Sequence, residues 1–317
     1  MKVFITQKLP SIAYKLLTDK GFEVSVYGDD KTISTNNLIK LAHYSDAIIS
    51  LLTDKIDSNV IGKLNNCKVI ANYAVGYNNI DISAASKKGI TVTNTPDILT
   101  ESTADLTLAL ILSVARRVVE GDRLVRDGKF EGWKPELLLG AELSGKTIGI
   151  FGAGRIGQAV AIRAKAFGMK ILYSSNSRKV KFEKKTGAVK VGLKTLLRNS
   201  DIVSLHTPLT PKTNGLIDKA HLDMLKSNAI FINTARGEIV DENYLVSTLK
   251  KNKIFGAGFD VYVNEPKVNK KLLKLHNTVL LPHLGSGTTE TRNEMAKLVA
   301  NNVINVLMGK KPLTPVN

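Results

Sequence analysis

Short apolar runs, separated by polar stretches containing glycine, recur along the whole chain. Those at 2–6, 23–27, 47–51, 69–73 and 91–93 are rich in Val and Ile, with segments of helical apolar spacing between several of them. Near-continuous apolar runs predict parallel strands, because a strand covered on both faces has no polar side. The pattern stops at Pro96. Beyond it, Thr100 is placed to cap one long helix rich in Leu, Ala and Ile, reaching to about Val125 and carrying the chain into a second region. Runs resume there at 148–151, 170–173, 202–205, 230–233, 255–259 and 278–281. Strand and helix alternate without repeats or low-complexity tracts, which predicts an α/β protein with parallel sheets. At 317 residues two domains are expected.

The run ending at Phe151 leads directly into Gly152-Ala153-Gly154-Arg155-Ile156-Gly157, and then into a helical segment beginning at Gln158. This strand-to-helix context separates a dinucleotide loop from a chance glycine pattern. Gly152 permits the tight turn, Gly154 lets backbone amides reach a pyrophosphate, and Gly157 lets helix and strand pack closely.

Composition narrows the class. The N-terminal apolar stretch is too short for a signal peptide, and the longest run, 106–115, is about half the ~20 residues a membrane span needs. Cys67 is the only cysteine, which excludes an internal disulfide and fits a reducing cytoplasm. The formal charge of +17 would suit nucleic acid, but the lysines are dispersed and no aromatics are interleaved with them. A solvated basic surface that attracts small anions is the better reading, with neither nucleic acid nor membrane as partner.

Ligands of open parallel sheets gather at the carboxyl ends of the strands. In the second region those ends deliver the glycine loop, His206 with Thr207 and Pro208, Thr234-Ala235-Arg236-Gly237, Asp260, and Pro282-His283. His283 is the candidate general acid, since an imidazole exchanges protons near neutral pH and this one precedes a glycine-containing loop through Gly285. Glu265 is its candidate partner, able to fix the ring tautomer and favour the imidazolium. Arg236 can clamp a carboxylate through two parallel N–H bonds. His206 is the rival acid, better suited to lining a cofactor. His43, His221 and His276 carry no partner signal, and no metal is expected.

Taken together, Ala71 through Asp81, the glycine loop with its preceding strand, Asn233 through Gly237, Asp260 through Pro266, and Pro282 through Gly285 resemble the D-2-hydroxyacid dehydrogenase family, most closely its glyoxylate/hydroxypyruvate reductase branch. The resemblance implies a Rossmann-type dinucleotide domain (99–285) inserted into a flavodoxin-like substrate domain (1–98 and 286–317), both doubly wound parallel sheets, with substrate in the cleft between them. It implies NAD(P)H-dependent reduction of a small 2-oxo acid to the D-2-hydroxy acid, with Arg236, Glu265 and His283 catalytic. It also implies that the amides of Val75 and Gly76 bind the substrate carboxylate, and that Thr234, Ala235 and Asp260 line the nicotinamide. Members are homodimers, and Trp133 corresponds to a tryptophan that reaches a substrate pocket. A corepressor-like protein that senses nucleotide without turnover is the alternative.

Cofactor choice is read from the residues beyond the glycine loop. An NAD site of this type places Asp or Glu about 20 residues further on, against the ribose hydroxyls. Here Ser175 holds that place and no acidic residue lies between Gln158 and Phe182, whereas Asn176, Ser177, Arg178 and Lys179 suit a 2′-phosphate. NADP(H) is therefore expected in preference to NAD(H). Similar NADPH-dependent reductases often carry arginine where this chain has Asn176, which would leave Arg178 to make the main contact.

Overall fold

The computed structural model describes residues 1–29 and 31–317, in two compact units: Met1–Leu99 with Ser286–Asn317, and Thr100–Gly285. Both are parallel-sheet α/β structures, the fold class expected from the sequence.

In the first unit, β1 (Lys2–Ile5), β2 (Glu23–Val26), β3 (Ala47–Ser50), β4 (Val69–Asn72) and β5 (Thr91–Thr93) form a parallel sheet in the order β2-β1-β3-β4-β5. This is the flavodoxin-like order. Alternate side chains serve opposite faces. Val3, Ile5, Ile49 and Val69 pack with Met295, Val299 and Val303 of the helix Thr289–Leu307, while Phe4, Ile48, Ile70 and Val92 pack with Leu38, Val60 and Ile61. The C-terminal helix therefore belongs to the sheet formed by the N-terminal residues. Its N-cap is Thr288, whose hydroxyl accepts from Thr291 N.

The second unit holds β6 (Thr147–Phe151), β7 (Lys170–Ser174), β8 (Val189–Lys190), β9 (Ile202–Leu205), β10 (Ile230–Asn233), β11 (Gly256–Phe259) and β12 (Thr278–Leu280), ordered β12-β11-β10-β9-β6-β7-β8. Its six strands from β8 to β11 follow the doubly wound dinucleotide-fold order, with the topological switch between β6 and β9. Ile148, Ile150, Ile202 and Ile232 meet Leu108 and Ile111 on one face; Phe151, Val203, Phe231 and Phe259 meet Leu196, Leu245 and Leu249 on the other.

Two features depart from the sequence reading. The helix expected over 100–125 is two helices, Thr100–Ala115 and Val118–Arg126, and Thr100 is the first helical residue rather than a cap. Arg117 turns left-handed between them (φ 53°) and pairs with Glu120, while the Ala115 carbonyl accepts from Ala141 N at 2.8 Å. Apolar periodicity cannot register such a tertiary break. β8 escaped notice because it is two exposed residues at a sheet edge. No helix among the described residues is long and apolar enough to cross a membrane.

Candidate active site

At the carboxyl rim of the second sheet, hydrogen bonds carry the strand pairing one step into the loops. Gly152 N donates to Ser174 O (2.9 Å), His206 N to Phe151 O (2.7 Å), Asp260 N to Asn233 O (3.0 Å) and Leu281 N to Phe259 O (2.8 Å). The strand order therefore runs the rim from His283 after β12, through Asp260, Thr234 and His206, to Gly152 at the switch point and Ser175 after β7.

The glycine loop fits a dinucleotide phosphate. A Cβ on Gly152 would lie 2.6 Å from the His206 carbonyl carbon, and one on Gly157 would lie 2.1 Å from the Gly152 carbonyl oxygen, so both glycines are required by close packing. Gly154 is different: a Cβ there would meet nothing within 4 Å. Gly154 is the N-cap of the helix Arg155–Ala166, whose first amides and dipole favour an anion. Arg155 is exposed at the helix start, while Ile156 packs against the core.

After β7, Ser175 Oγ donates to Ser177 O at 2.7 Å, and Asn176, Ser177 and Arg178 are exposed. Arg178 is engaged: its Nε donates to both carboxylate oxygens of Glu183, at 2.9 and 3.2 Å. Glu183 lies one residue past the stretch in which the sequence shows no acid. Only the helix Val180–Thr186 brings it back to the loop.

His283 and Glu265 pair directly, with Nδ1 2.7 Å from Oε2. The other Glu265 oxygen accepts from Tyr262 N at 2.9 Å. Burial pushes the Glu265 carboxyl up, but the His283 bond, the amide and the charge of Arg236 together hold it below its ordinary value. It is thus an anion that orients the ring and leaves Nε2 for chemistry. His283 sits at φ 58°, held by Asp260, whose Oδ1 and Oδ2 accept from Leu284 N (2.6 Å) and Gly285 N (2.8 Å). Burial raises the Asp260 carboxyl, against those two bonds and the neighbouring His283. Its contacts mark Asp260 as an anchor of the His283 loop, a role the sequence reading did not include.

Arg236 follows β10 in extended backbone (φ −152°). Burial lowers its guanidinium, opposed by the charges of Glu265 and Glu238, and arginine stays protonated regardless. Asn233, buried at the end of β10, was missed as a site residue. Its side chain donates to Arg236 O (2.8 Å) and accepts from Ala235 N (3.0 Å), folding the Thr234–Ala235 turn around itself. The one signal was an amide residue ending an otherwise apolar strand. Thr234 Oγ1 also lies 3.1 Å from Thr107 Oγ1.

His206 is unlike His283. Its Nε2 is 2.8 Å from Ser204 Oγ, its Nδ1 is buried without a hydrogen-bond partner among the described residues, and burial pushes the ring down to about 3. Such an imidazole is neutral and has no proton to give as an imidazolium. Pro208 nearby is exposed, its carbonyl accepting from Thr213 Oγ1. His221, read as partnerless, pairs with Asp218 at 2.8 Å through the capping carboxylate of its short helix. Cys67 is buried and its thiol is pushed up to about 12, which removes it as a nucleophile.

In the first unit, the loop after β4 is held by its carbonyls: Asn94 Nδ2 donates to Val75 O and Asn72 Nδ2 to Gly76 O, both at 2.8 Å. Trp133 lies in an irregular segment of the second unit and is 84% exposed.

Residues 108–285 match the family described as D-isomer specific 2-hydroxyacid dehydrogenase, NAD binding domain. The whole chain is 49% identical over 320 residues to a glyoxylate reductase of Thermococcus litoralis, covering 96% of that protein. A crystal structure of a Thermus thermophilus protein superposes with a TM-score of 0.95 at 44% identity, all of both chains being covered. An NADPH-dependent glyoxylate/hydroxypyruvate reductase of Sinorhizobium meliloti, solved with NADP and malonate, matches with a TM-score of 0.89 at 31% identity, covering 99% of this chain and 96% of that one.

Proposed function

The chain belongs to the D-isomer specific 2-hydroxyacid dehydrogenase family, and from that premise we propose that it reduces a small 2-oxo acid of the glyoxylate or hydroxypyruvate type to the D-2-hydroxy acid, with NADPH preferred over NADH. The observation that carries the reading is the His283–Glu265 pair at the same rim as Arg236 and the glycine loop. A bound reduced nicotinamide supplies the hydride. This chain's residues do the rest. His283 Nε2 gives its proton to the carbonyl oxygen, and the Glu265 carboxylate stabilises the protonated ring that makes this transfer. Arg236 binds the substrate carboxylate through its planar fork and so orients the carbonyl. In the first unit, the amides of Val75 and Gly76 are the proposed further donors to that carboxylate.

Gly152, Gly154, Arg155, Ile156 and Gly157 are assigned to the cofactor pyrophosphate, and Ser175 to Arg178 to the adenosine ribose. His206, Pro208, Thr234, Ala235, Asp260 and Gly285 are assigned to its remaining length, and the domains to substrate (first unit) and dinucleotide (second). Supporting the 2′-phosphate reading are the absence of an acid at Ser175 and the donors that come after it. We assign a homodimer to the apolar side chains exposed on the second unit, Val118, Val125, Phe130, Trp133 and Leu139. Cys67 as sole cysteine fits a cytoplasmic setting. Steady-state kinetics with glyoxylate, hydroxypyruvate, pyruvate and a branched 2-oxo acid, each with NADPH and NADH, tests the assignment. Turnover is expected with at least the first two; none with any acid would leave the nucleotide-sensing alternative.

A further inference from the structure

Arg178, the cation on which 2′-phosphate recognition rests, is already bound to a carboxylate. Its Nε donates to both oxygens of Glu183 at 2.9 and 3.2 Å. The two partners are unequal. The Arg178 side chain is 71% exposed and that of Glu183 only 14%, so the carboxylate is the fixed member and the guanidinium the one free to move.

The cause of that fixity lies beneath the loop. Tyr173, fully buried in β7, donates its hydroxyl proton to Glu183 Oε1 at 2.6 Å, and the tyrosine oxygen accepts from Lys179 N at 2.8 Å. One tyrosine thus ties the end of the ribose loop to the carboxylate. Tyr173 and Arg178 hold the Glu183 carboxyl below its ordinary value, so the side chain is an anion throughout the working range.

We propose that Glu183 is a specificity-determining residue that competes with a cofactor 2′-phosphate for Arg178, and so sets how strongly this protein prefers NADPH over NADH. The proposal rests on the 2′-phosphate reading of the Ser175–Lys179 loop. Two effects oppose each other. Holding Nε pre-orients the guanidinium, which would favour a phosphate; taking up its donor and neutralising its charge disfavours one. The loss of charge outweighs the ordering of one side chain, because a phosphate of nearly two charges draws its affinity from that cation, while the Glu183 carboxylate is itself held back by Tyr173. Competition therefore dominates. A 2′-hydroxyl carries no charge and does not feel it.

The test is calorimetric binding of adenosine 2′,5′-bisphosphate and of 5′-AMP to the full chain, which needs no turnover. Glu183→Gln keeps an oxygen for the Tyr173 hydroxyl and removes the charge. It is expected to tighten the bisphosphate by about three- to tenfold and to leave 5′-AMP within about twofold. In an Arg178→Ala background the gain should fall below about twofold, since nothing remains to compete for. Weakened or unchanged bisphosphate binding overturns the proposal, as does an equal gain without Arg178. If the parent binds both nucleotides alike and Arg178→Ala changes neither, the 2′-phosphate reading itself has failed. A measurement on the unmodified protein guards against misfolding of the variant. The Arg178 Nε–H resonance in ¹⁵N-labelled protein should move on addition of the bisphosphate and stay put with 5′-AMP; a resonance insensitive to both refutes competition.

Discussion

Nδ1 of His283 lies 2.7 Å from Oε2 of Glu265, and Glu265 is itself held by the Tyr262 amide, so neither ring tautomer nor ring direction is left to chance. Because the carboxyl sits below its ordinary value, the pair is intact above the usual carboxylate range. Its contribution to stability is lost only as pH falls through the depressed value.

The same pair ties rate to the ionisation of Glu265. Its carboxyl, held below the ordinary value, orients as an anion the ring that is proposed to deliver the proton, so reductive kcat/KM should fall as pH drops through that depressed value. Glu265→Gln has no carboxyl to protonate there, so kcat/KM should be lower throughout and this acid-side decline should be lost. Superimposable profiles for the two proteins would remove Glu265 from the chemistry.

His283→Ala should lower reductive turnover by about 10²–10⁴-fold, with cofactor affinity nearly unchanged. His206→Ala should cost far less, because a ring pushed to about 3 by burial is neutral and donates no imidazolium proton. Single-turnover rates of the two variants decide between them. A dead His206 variant beside an active His283 variant would invert the assignment.

Arg236→Lys preserves charge but loses the planar fork. The Arg236 carbonyl is fixed by Asn233, so the lost contact cannot be recovered by shifting the turn. KM for the 2-oxo acid should rise and kcat should fall together as the carbonyl is misplaced. Equal reduction of the acid and its neutral amide by the parent would show that Arg236 does not bind a carboxylate.

The range of each signal explains why some of the fold and site was legible in the sequence and some was not. Strands β3, β4, β9 and β10 are buried along their whole length, so their apolar runs mark them residue by residue. The rim residues are then legible too, because a parallel sheet delivers every strand end to one edge. The break at Arg117 depends on Ala141 bonding back to Ala115, and the grip on Arg178 depends on a helix returning Glu183 to the loop. Neither contact has a periodicity. Asp260 was legible as a rim residue but not as the anchor of Leu284 and Gly285, since that requires knowing which loop passes above it.

At the ribose loop, Ser175 directly succeeds β7 where an NAD site carries a carboxylate, and its hydroxyl is occupied locally by Ser177 O. A 2′-phosphate there meets donors and no acid at this position, so the parent should show higher kcat/KM with NADPH than with NADH. Ser175→Asp places a carboxylate where it accepts hydrogen bonds from a ribose hydroxyl and repels a phosphate. The ratio of the two efficiencies should reverse, a change of about tenfold or more given that each tenfold needs about 1.4 kcal/mol of differential binding. Because Glu183 already tempers Arg178, the reversal should be more complete in the parent background than in Glu183→Gln, which starts from a stronger phosphate preference. Efficiencies with NADH equal to or above those with NADPH in the unmodified protein would defeat the 2′-phosphate reading, while His283, Glu265 and Arg236 would keep their roles.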